Sequence, residues 1–172
     1  APKAYINPNT GSTRLSAVIP LLPAAMEMIE YLHDLGYETT CNVMAISQAN
    51  SNQVEEALAM LVTSSVDVIY LVDSYGALYP ETATELAKAY VEAAERHGKQ
   101  VGFHAHNNQN LAFANTIETL SYGVSYLDAT AQGMGRGAGN CAMELLLGFL
   151  KNPKYNLYSL LSFIENYMIP LK

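Results

Sequence analysis

Two histidines one residue apart are the strongest chemical feature of the sequence. His104 and His106 lie in the stretch GFHAHNN (102–108), at the end of an apolar run. If that run is a β-strand, both side chains leave the same face, with Cα atoms about 6.6–7 Å apart. Two imidazoles at this spacing can reach one metal ion at about 2.0–2.2 Å. The alternative is a pair of histidines that hydrogen-bond to neighbouring groups at a strand end.

A second feature is the glycine-rich stretch AQGMGRGAGN (131–140). Its glycines let backbone N–H groups approach an anion, ahead of a helix that we predict over residues 141–151. Asn140 is placed to cap that helix; alternatively, its amide oxygen faces a metal ion. Residues 133–138 also fit the dinucleotide fingerprint G-x-G-x-x-A, but no acidic residue follows at the required distance. A dinucleotide site is therefore disfavoured.

Acidic and hydroxyl side chains follow two other apolar runs. Asp73 ends the run in LVDSYGALYP (71–80), where a carboxylate serves as a metal ligand, as a partner that orients a metal-binding histidine, or as the start of a turn. Ser74, next to it, can donate a hydrogen bond to a substrate carboxylate. Further polar residues follow the predicted strands: Asn42, Ser47, Asn107, Asp128, Thr130 and Gln132.

The elements that carry these residues alternate between strands and helices. Strand-like runs near residues 39–45, 66–73, 100–106 and 124–130 are each followed by a helical pattern. Alternation of this kind predicts a parallel sheet with right-handed crossovers, whose ligand site lies beyond the carboxyl ends of the strands. We predict an irregular segment or the remnant of a preceding unit over residues 1–20. Four βα units and a C-terminal helix should then fill residues 21–172. Periodicity alone fits a small open sheet as well as part of a barrel.

Composition narrows the classes of partner and setting. The chain has 172 residues, a net charge of −7 and no run of lysines or arginines, which excludes a basic nucleic-acid footprint. No apolar run approaches the roughly 20 residues needed to cross a bilayer, so we expect no membrane anchor. The two cysteines have no metal-binding spacing and are too few for a disulfide framework, which predicts a reducing, cytoplasmic setting.

Taken together, three segments resemble a known superfamily. They are VDSYGALYPE (72–81), VGFHAHNNQNLAFAN (101–115) and LDATAQGMGRGAGN (127–140), and CNVMAIS (41–47) matches as well. The chain resembles the pyruvate-type aldolase and HMG-CoA-lyase-like metallolyases, most of all the 4-hydroxy-2-oxovalerate aldolases. The resemblance runs from about Met26 to Leu171. An H-x-H strand end followed one βα unit later by GMGRGAGN is the specific part of the match.

The resemblance implies a (β/α)8 TIM barrel of which this chain, as one partial-barrel domain over residues 1–172, covers roughly strands 5 to 8. It implies that His104 and His106 bind a divalent cation, Mn²⁺ or Mg²⁺ first and Zn²⁺ or Co²⁺ as alternatives. It also points to Ser74 and Asn140 as substrate-binding residues. Asp73 and Asp128 are the candidates for carboxylates that support the metal ligands. The third metal ligand of the family is the Asp of an Arg-Asp pair at the end of strand 1, and no Arg-Asp dipeptide occurs in this sequence. The catalytic residues therefore stay unassigned.

We accordingly predict a metal-dependent carbon–carbon lyase that cleaves a 4-hydroxy-2-oxo acid to pyruvate and an aldehyde. The expected partners are a small 2-oxo acid and either further copies of the chain or a missing half-barrel. Two alternatives stay open from the sequence. One is a condensing synthase of the same superfamily, which joins an acyl-CoA to a 2-oxo acid. The other is a non-catalytic barrel fragment that acts as an assembly module.

Overall fold

The computed structural model describes residues 3–7 and 10–171, and its centre is a six-stranded sheet. The strands lie side by side in chain order: β1 (Lys3–Asn7), β2 (Ser12–Val18), β3 (Glu38–Met44), β4 (Val68–Asp73), β5 (Gln100–Ala105) and β6 (Tyr126–Leu127). The first two strands form an antiparallel hairpin, and every later pair is parallel. The predicted α/β class with a parallel sheet is thus confirmed.

A helix follows each parallel strand, as right-handed crossovers require. The helices are α1 (Leu22–Asp34), α2 (Ser51–Thr63), α3 (Pro80–Glu95), α4 (Ala112–Leu120), α5 (Met143–Phe149) and α6 (Leu157–Phe163), the last continuing as a π-helical turn at Ile164–Met168. Local signals agree with these bounds. Asn50 and Gln53 form a reciprocal capping box at the start of α2, and Pro80 occupies the first position of α3.

The structure has one more βα unit than the four that we predicted, because β2 and α1 form a unit of their own. Of the two alternatives for residues 1–20, the irregular segment is wrong for the hairpin Lys3–Asn7 and Ser12–Val18, and the remnant of a preceding unit stays open. Alternate residues of β2 explain the error: Leu15 and Ala17 are buried, whereas Arg14 and Ser16 point to the other face. A strand with polar residues on one face lacks the continuous apolar run that marks a doubly buried strand.

The main core lies between the sheet and its helices. Its largest fully buried side chains come from β2 to β5 and from the facing helices: Leu15, Ile29, Val43, Leu61, Ile69, Leu71, Tyr90 and Phe103. This helix-covered face fixes the strands and leaves the opposite face available for polar groups. No helix in the part of the chain that the structure describes is long and apolar enough to cross a membrane.

The opposite face of the sheet is concave. Arg14 on β2 forms an ion pair with Asp128, which follows β6, although three strands separate β2 from β6. In a flat sheet these strands would lie about 19 Å apart, at about 4.8 Å per neighbour. The Tyr126 hydroxyl likewise reaches Glu38 and Gln100 across this face. The sheet therefore curls as the wall of a barrel does.

Candidate active site

The two histidines lie together at the carboxyl end of β5. Their rings are 5.3 Å apart between centroids and are inclined by 72°. His104 belongs to the strand, and His106 follows it, held by a hydrogen bond from its backbone N–H to the Asp73 carbonyl at 3.1 Å. Both side chains are only partly exposed. The spacing i, i+2 on a strand thus places both imidazoles on the concave face, next to each other.

Asp128 supports His104 directly. The His104 ring Nδ1 lies 3.0 Å from Oδ2 of Asp128, and the Arg14 guanidinium approaches both oxygens of the same carboxylate. Burial alone would raise the pKa of Asp128, but the hydrogen bonds from His104 and Arg14 and the charge of Arg14 outweigh it and lower that pKa. Asp128 is therefore ionised, and it accepts hydrogen bonds from the Arg14 guanidinium and from the His104 ring.

Sequence reasoning missed Arg14. The guanidinium lies over the ring of Tyr70, 4.3 Å from its centroid, so a buried tyrosine shapes the approach of Arg14 to Asp128. Gly102 makes room for that ring, because a Cβ at this position would lie 2.5 Å from the Tyr70 ring carbons. The alternation of STRLSAV, with polar Arg14 and Ser16 two apart, was the signal that could have revealed this residue.

Asp73 and Ser74 shape the turn after β4. The Asp73 carboxylate is 1% exposed and accepts the backbone N–H groups of Ala77 at 2.9 Å and Leu78 at 3.1 Å. Asp73 was considered as a metal ligand, as a partner of a metal-binding histidine and as the start of a turn. These contacts match the start of a turn. The Ser74 hydroxyl accepts the backbone N–H of Ala45 at 2.8 Å, where Ala45 has a left-handed φ of 59°. Ser74 keeps its own hydroxyl proton for donation.

The glycine-rich loop folds against the histidines. Asn140 pairs with His106 in an antiparallel bridge, and the Asn107 backbone N–H donates to the Gly139 carbonyl at 2.8 Å. The Asn140 amide nitrogen donates to the Met134 carbonyl at 3.1 Å, whereas its Oδ1 is buried without a hydrogen-bond partner. Of the two roles considered for Asn140, the helix cap is wrong, because α5 begins at Met143 after the cap residue Ala142.

These groups fit a divalent cation. Burial first, and then the nearby charges of His104 and Arg136, lower the pKa of His106, which favours the neutral imidazole that binds metals. Two adjacent imidazoles offer nitrogen ligands for such an ion, and Asn140, whose backbone pairs with His106, has a buried amide oxygen without a hydrogen-bond partner. Within residues 3–7 and 10–171, no group of three or more His, Cys, Asp and Glu side chains could hold an ion. The described residues therefore bring two histidine side chains together as candidate ligands.

Comparisons with known proteins agree with this architecture. The family model for HMGL-like domains matches residues 18–164. The 4-hydroxy-2-oxovalerate aldolase of Thermus thermophilus is 37% identical over 142 residues, which cover 80% of this chain and 40% of that protein. The corresponding aldolase of Brevibacillus brevis is 30% identical over 165 residues, covering 94% of this chain and 48% of that protein.

Solved structures give the same fold. The crystal structure of an HMG-CoA lyase from Brucella melitensis superposes with a TM-score of 0.70 at 19% identity, covering 82% of this chain and 55% of that one. This chain therefore spans less than half the length of the two curated aldolases and about half the length of the lyase.

Proposed function

We propose, from the premise that this chain belongs to the HMGL-like family, that it forms part of a divalent-metal-dependent aldolase. The proposed reaction cleaves a 4-hydroxy-2-oxo acid to pyruvate and an aldehyde. The observation that carries the proposal is the pair His104 and His106, side by side at the carboxyl end of β5 with Asp128 bound to His104. Relatives that carry the aldolase name support the reaction class.

His104 and His106 would hold the cation, which we propose to be Mn²⁺ or Mg²⁺, with Zn²⁺ or Co²⁺ as alternatives. When bound, such a cation supplies Lewis-acid stabilisation of charge that develops on the substrate oxygens. The Asn140 amide oxygen is a candidate further ligand, because it has no hydrogen-bond partner in the described structure and the Asn140 backbone pairs with His106. The Ser74 hydroxyl, anchored through its oxygen by Ala45, can donate its proton to a substrate carboxylate.

We propose that the complete activity needs more of the barrel than this chain contains. The chain covers 40% of the Thermus aldolase, and the catalytic Arg-Asp pair implied by the resemblance is not in the sequence. We therefore propose association with the remaining barrel strands or with further copies of the chain. We also propose a reducing cytoplasmic setting, which the two free, buried cysteines support.

Pyruvate release by the complete protein tests the reaction. The protein is stripped of metal, reloaded with Mn²⁺, Mg²⁺, Co²⁺ or Zn²⁺, and assayed with a series of 4-hydroxy-2-oxo acids in a coupled pyruvate assay. We expect pyruvate only in the metal-loaded samples. A metal-loaded protein that releases no pyruvate from any of these acids contradicts the proposal. Release of free CoA from an acyl-CoA and a 2-oxo acid would then identify a synthase, and inactivity in both assays a non-catalytic module.

A further inference from the structure

We propose that Asp128, clamped by Arg14 from the far side of the concave face, is the positioning residue that fixes which ring nitrogen of His104 faces the metal. This inference rests on the proposed metal site. It assigns a function to Arg14, a residue on β2 that acts on His104 through Asp128, with two strands between β2 and β5.

The hydrogen-bond partners of Asp128 decide the position of the His104 proton. Oδ1 of Asp128 accepts from the Arg14 guanidinium at 3.1 Å, while Oδ2 accepts from the same guanidinium and lies 3.0 Å from His104 Nδ1. A carboxylate paired with a guanidinium can only accept hydrogen bonds. His104 must therefore carry its proton on Nδ1, which leaves the lone pair of the neutral ring on Nε2.

Arg14 is built into the concave face in a way that a lysine could not reproduce. Its planar fork contacts both carboxylate oxygens, and the same plane lies over the Tyr70 ring at 4.3 Å. The row Ser16, Asn42, Tyr70, Gly102 and Tyr126 runs across neighbouring strands in register. Gly102 leaves space for the Tyr70 ring two residues before His104. The same strand, β5, thus carries His104 and Gly102. Gly102 leaves the space for the Tyr70 ring over which Arg14 lies.

The two histidines are held in different ways. The His104 ring has the Asp128 carboxylate on its Nδ1. The His106 backbone is held by the Asp73 carbonyl and the bridge to Asn140, and its ring interacts with the backbone of Arg136. Loss of the Asp128 carboxylate should consequently change the tautomer of His104 and leave the tautomer of His106 unchanged. A change at His104 without a change at His106 would indicate that Asp128 positions His104. A change at both histidines would indicate a general loss of structure.

The experiment measures ring nitrogen shifts and metal binding in the complete protein. Long-range ¹H–¹⁵N spectra of the metal-free protein report the tautomer of His104, and calorimetric titration with Mn²⁺ reports affinity. The variants are Asp128→Asn and Arg14→Lys. Arg96→Ala is the matched control. Arg96 follows the last residue of α3 and forms an exposed ion pair with Glu92 of that helix, so its loss also removes an arginine–carboxylate pair.

We expect the Nδ1–H tautomer in the wild-type protein. In Asp128→Asn, the Asn oxygen stays with Arg14 and the amide NH₂ faces Nδ1, so the ring proton moves to Nε2 and Mn²⁺ affinity falls about 10–100-fold. Arg14→Lys should keep the tautomer and lose less affinity, and Arg96→Ala should change neither measurement. His106 should keep its wild-type tautomer in every variant.

An Nε2–H tautomer of His104 in the wild-type protein overturns the inference, as does wild-type Mn²⁺ affinity in Asp128→Asn. If Asp128→Asn does not fold, the wild-type tautomer and the affinity of Arg14→Lys relative to Arg96→Ala decide the question. A wild-type protein that binds no divalent cation instead overturns the proposed function, while its His104 tautomer still supports or refutes the positioning by Asp128.

Discussion

The backbone of Gly76 lies directly against the backbone of His106. A Cβ added at Gly76 would be 2.6 Å from the His106 carbonyl oxygen and 2.6 Å from the Asn108 backbone nitrogen. Gly76 also has a positive φ of 57°, which residues other than glycine rarely adopt. The turn after β4 is thus packed onto the segment that carries the second histidine, with no room for a methyl group.

Gly76→Ala should therefore damage both stability and the histidine pair. We expect a loss of about 2–4 kcal/mol in the free energy of unfolding, because the positive φ and the contact with backbone atoms both penalise the methyl group. Mn²⁺ affinity should fall as His106 shifts. Urea denaturation and metal titration measure the two effects.

Gly98→Ala is the control for this variant. Gly98 has a φ of 67° but open space around its Cβ position, so only the backbone penalty of about 1 kcal/mol applies. Equal losses in the two variants would show that the contact with His106 does not constrain residue 76.

Asp73→Asn should lower stability and leave metal binding intact. The buried Asp73 carboxylate accepts two backbone N–H groups, whereas an amide offers one oxygen and turns an NH₂ toward the second donor. We expect a cost of about 1–3 kcal/mol in urea denaturation. Asp34→Asn, on the exposed end of α1, is the control and should stay within about 0.5 kcal/mol of wild type. A fall in Mn²⁺ affinity without a stability cost would place Asp73 in support of the metal instead.

Asn140→Ala should weaken ligand binding more than it weakens the fold. The substitution removes one hydrogen bond to the Met134 carbonyl, worth about 1 kcal/mol, and also removes a buried oxygen that has no partner. We expect near-wild-type stability of the metal-free protein and several-fold weaker binding of Mn²⁺ or of a 2-oxo acid. Asn166→Ala, which removes an exposed amide bonded to Ser162 on the C-terminal helix, is the control. Unchanged binding in Asn140→Ala would exclude its amide oxygen from the site.

Both cysteines should be inert in the folded protein. Burial raises the pKa of the Cys41 thiol to about 12 and also raises that of Cys141, so neither forms a thiolate near neutral pH. A thiol reagent at pH 8 should label no cysteine before denaturation and both afterwards. Because the folded state keeps the Cys41 proton, its contribution to stability is complete below the unfolded pKa of about 8.5 and is lost as the pH rises toward the folded value. Rapid labelling of the native protein would contradict this burial.

The sequence predicted best those elements whose two faces share one chemistry. The apolar run predicted as a strand over residues 66–73 became β4 (Val68–Asp73), which is buried along its whole length. The bounds of β2 were not predicted, because its concave face carries polar Arg14 and Ser16 and the strand therefore lacks a continuous apolar run.

The same reason explains the errors within the site. Asn140 has the residue type of a helix cap, but tertiary pairing with His106 draws it away from the helix that follows. The contact between Arg14 and Asp128 joins residues 114 positions apart and depends on the curvature of the sheet, which local patterns do not encode. By contrast, the i, i+2 spacing of His104 and His106 needs only a strand to bring them together, and β5 provides it.

Metal binding by the histidine pair tests the central claim most directly. Equilibrium dialysis of the complete protein against Mn²⁺ compares wild type with His104→Ala and His106→Ala, and with His33→Ala on the exposed face of α1 as the control. We predict about one bound ion per chain in the wild type and in His33→Ala, and none in the other two variants at the same free Mn²⁺ concentration. Wild-type stoichiometry in His104→Ala and His106→Ala would contradict the metal site, and with it the proposed aldolase.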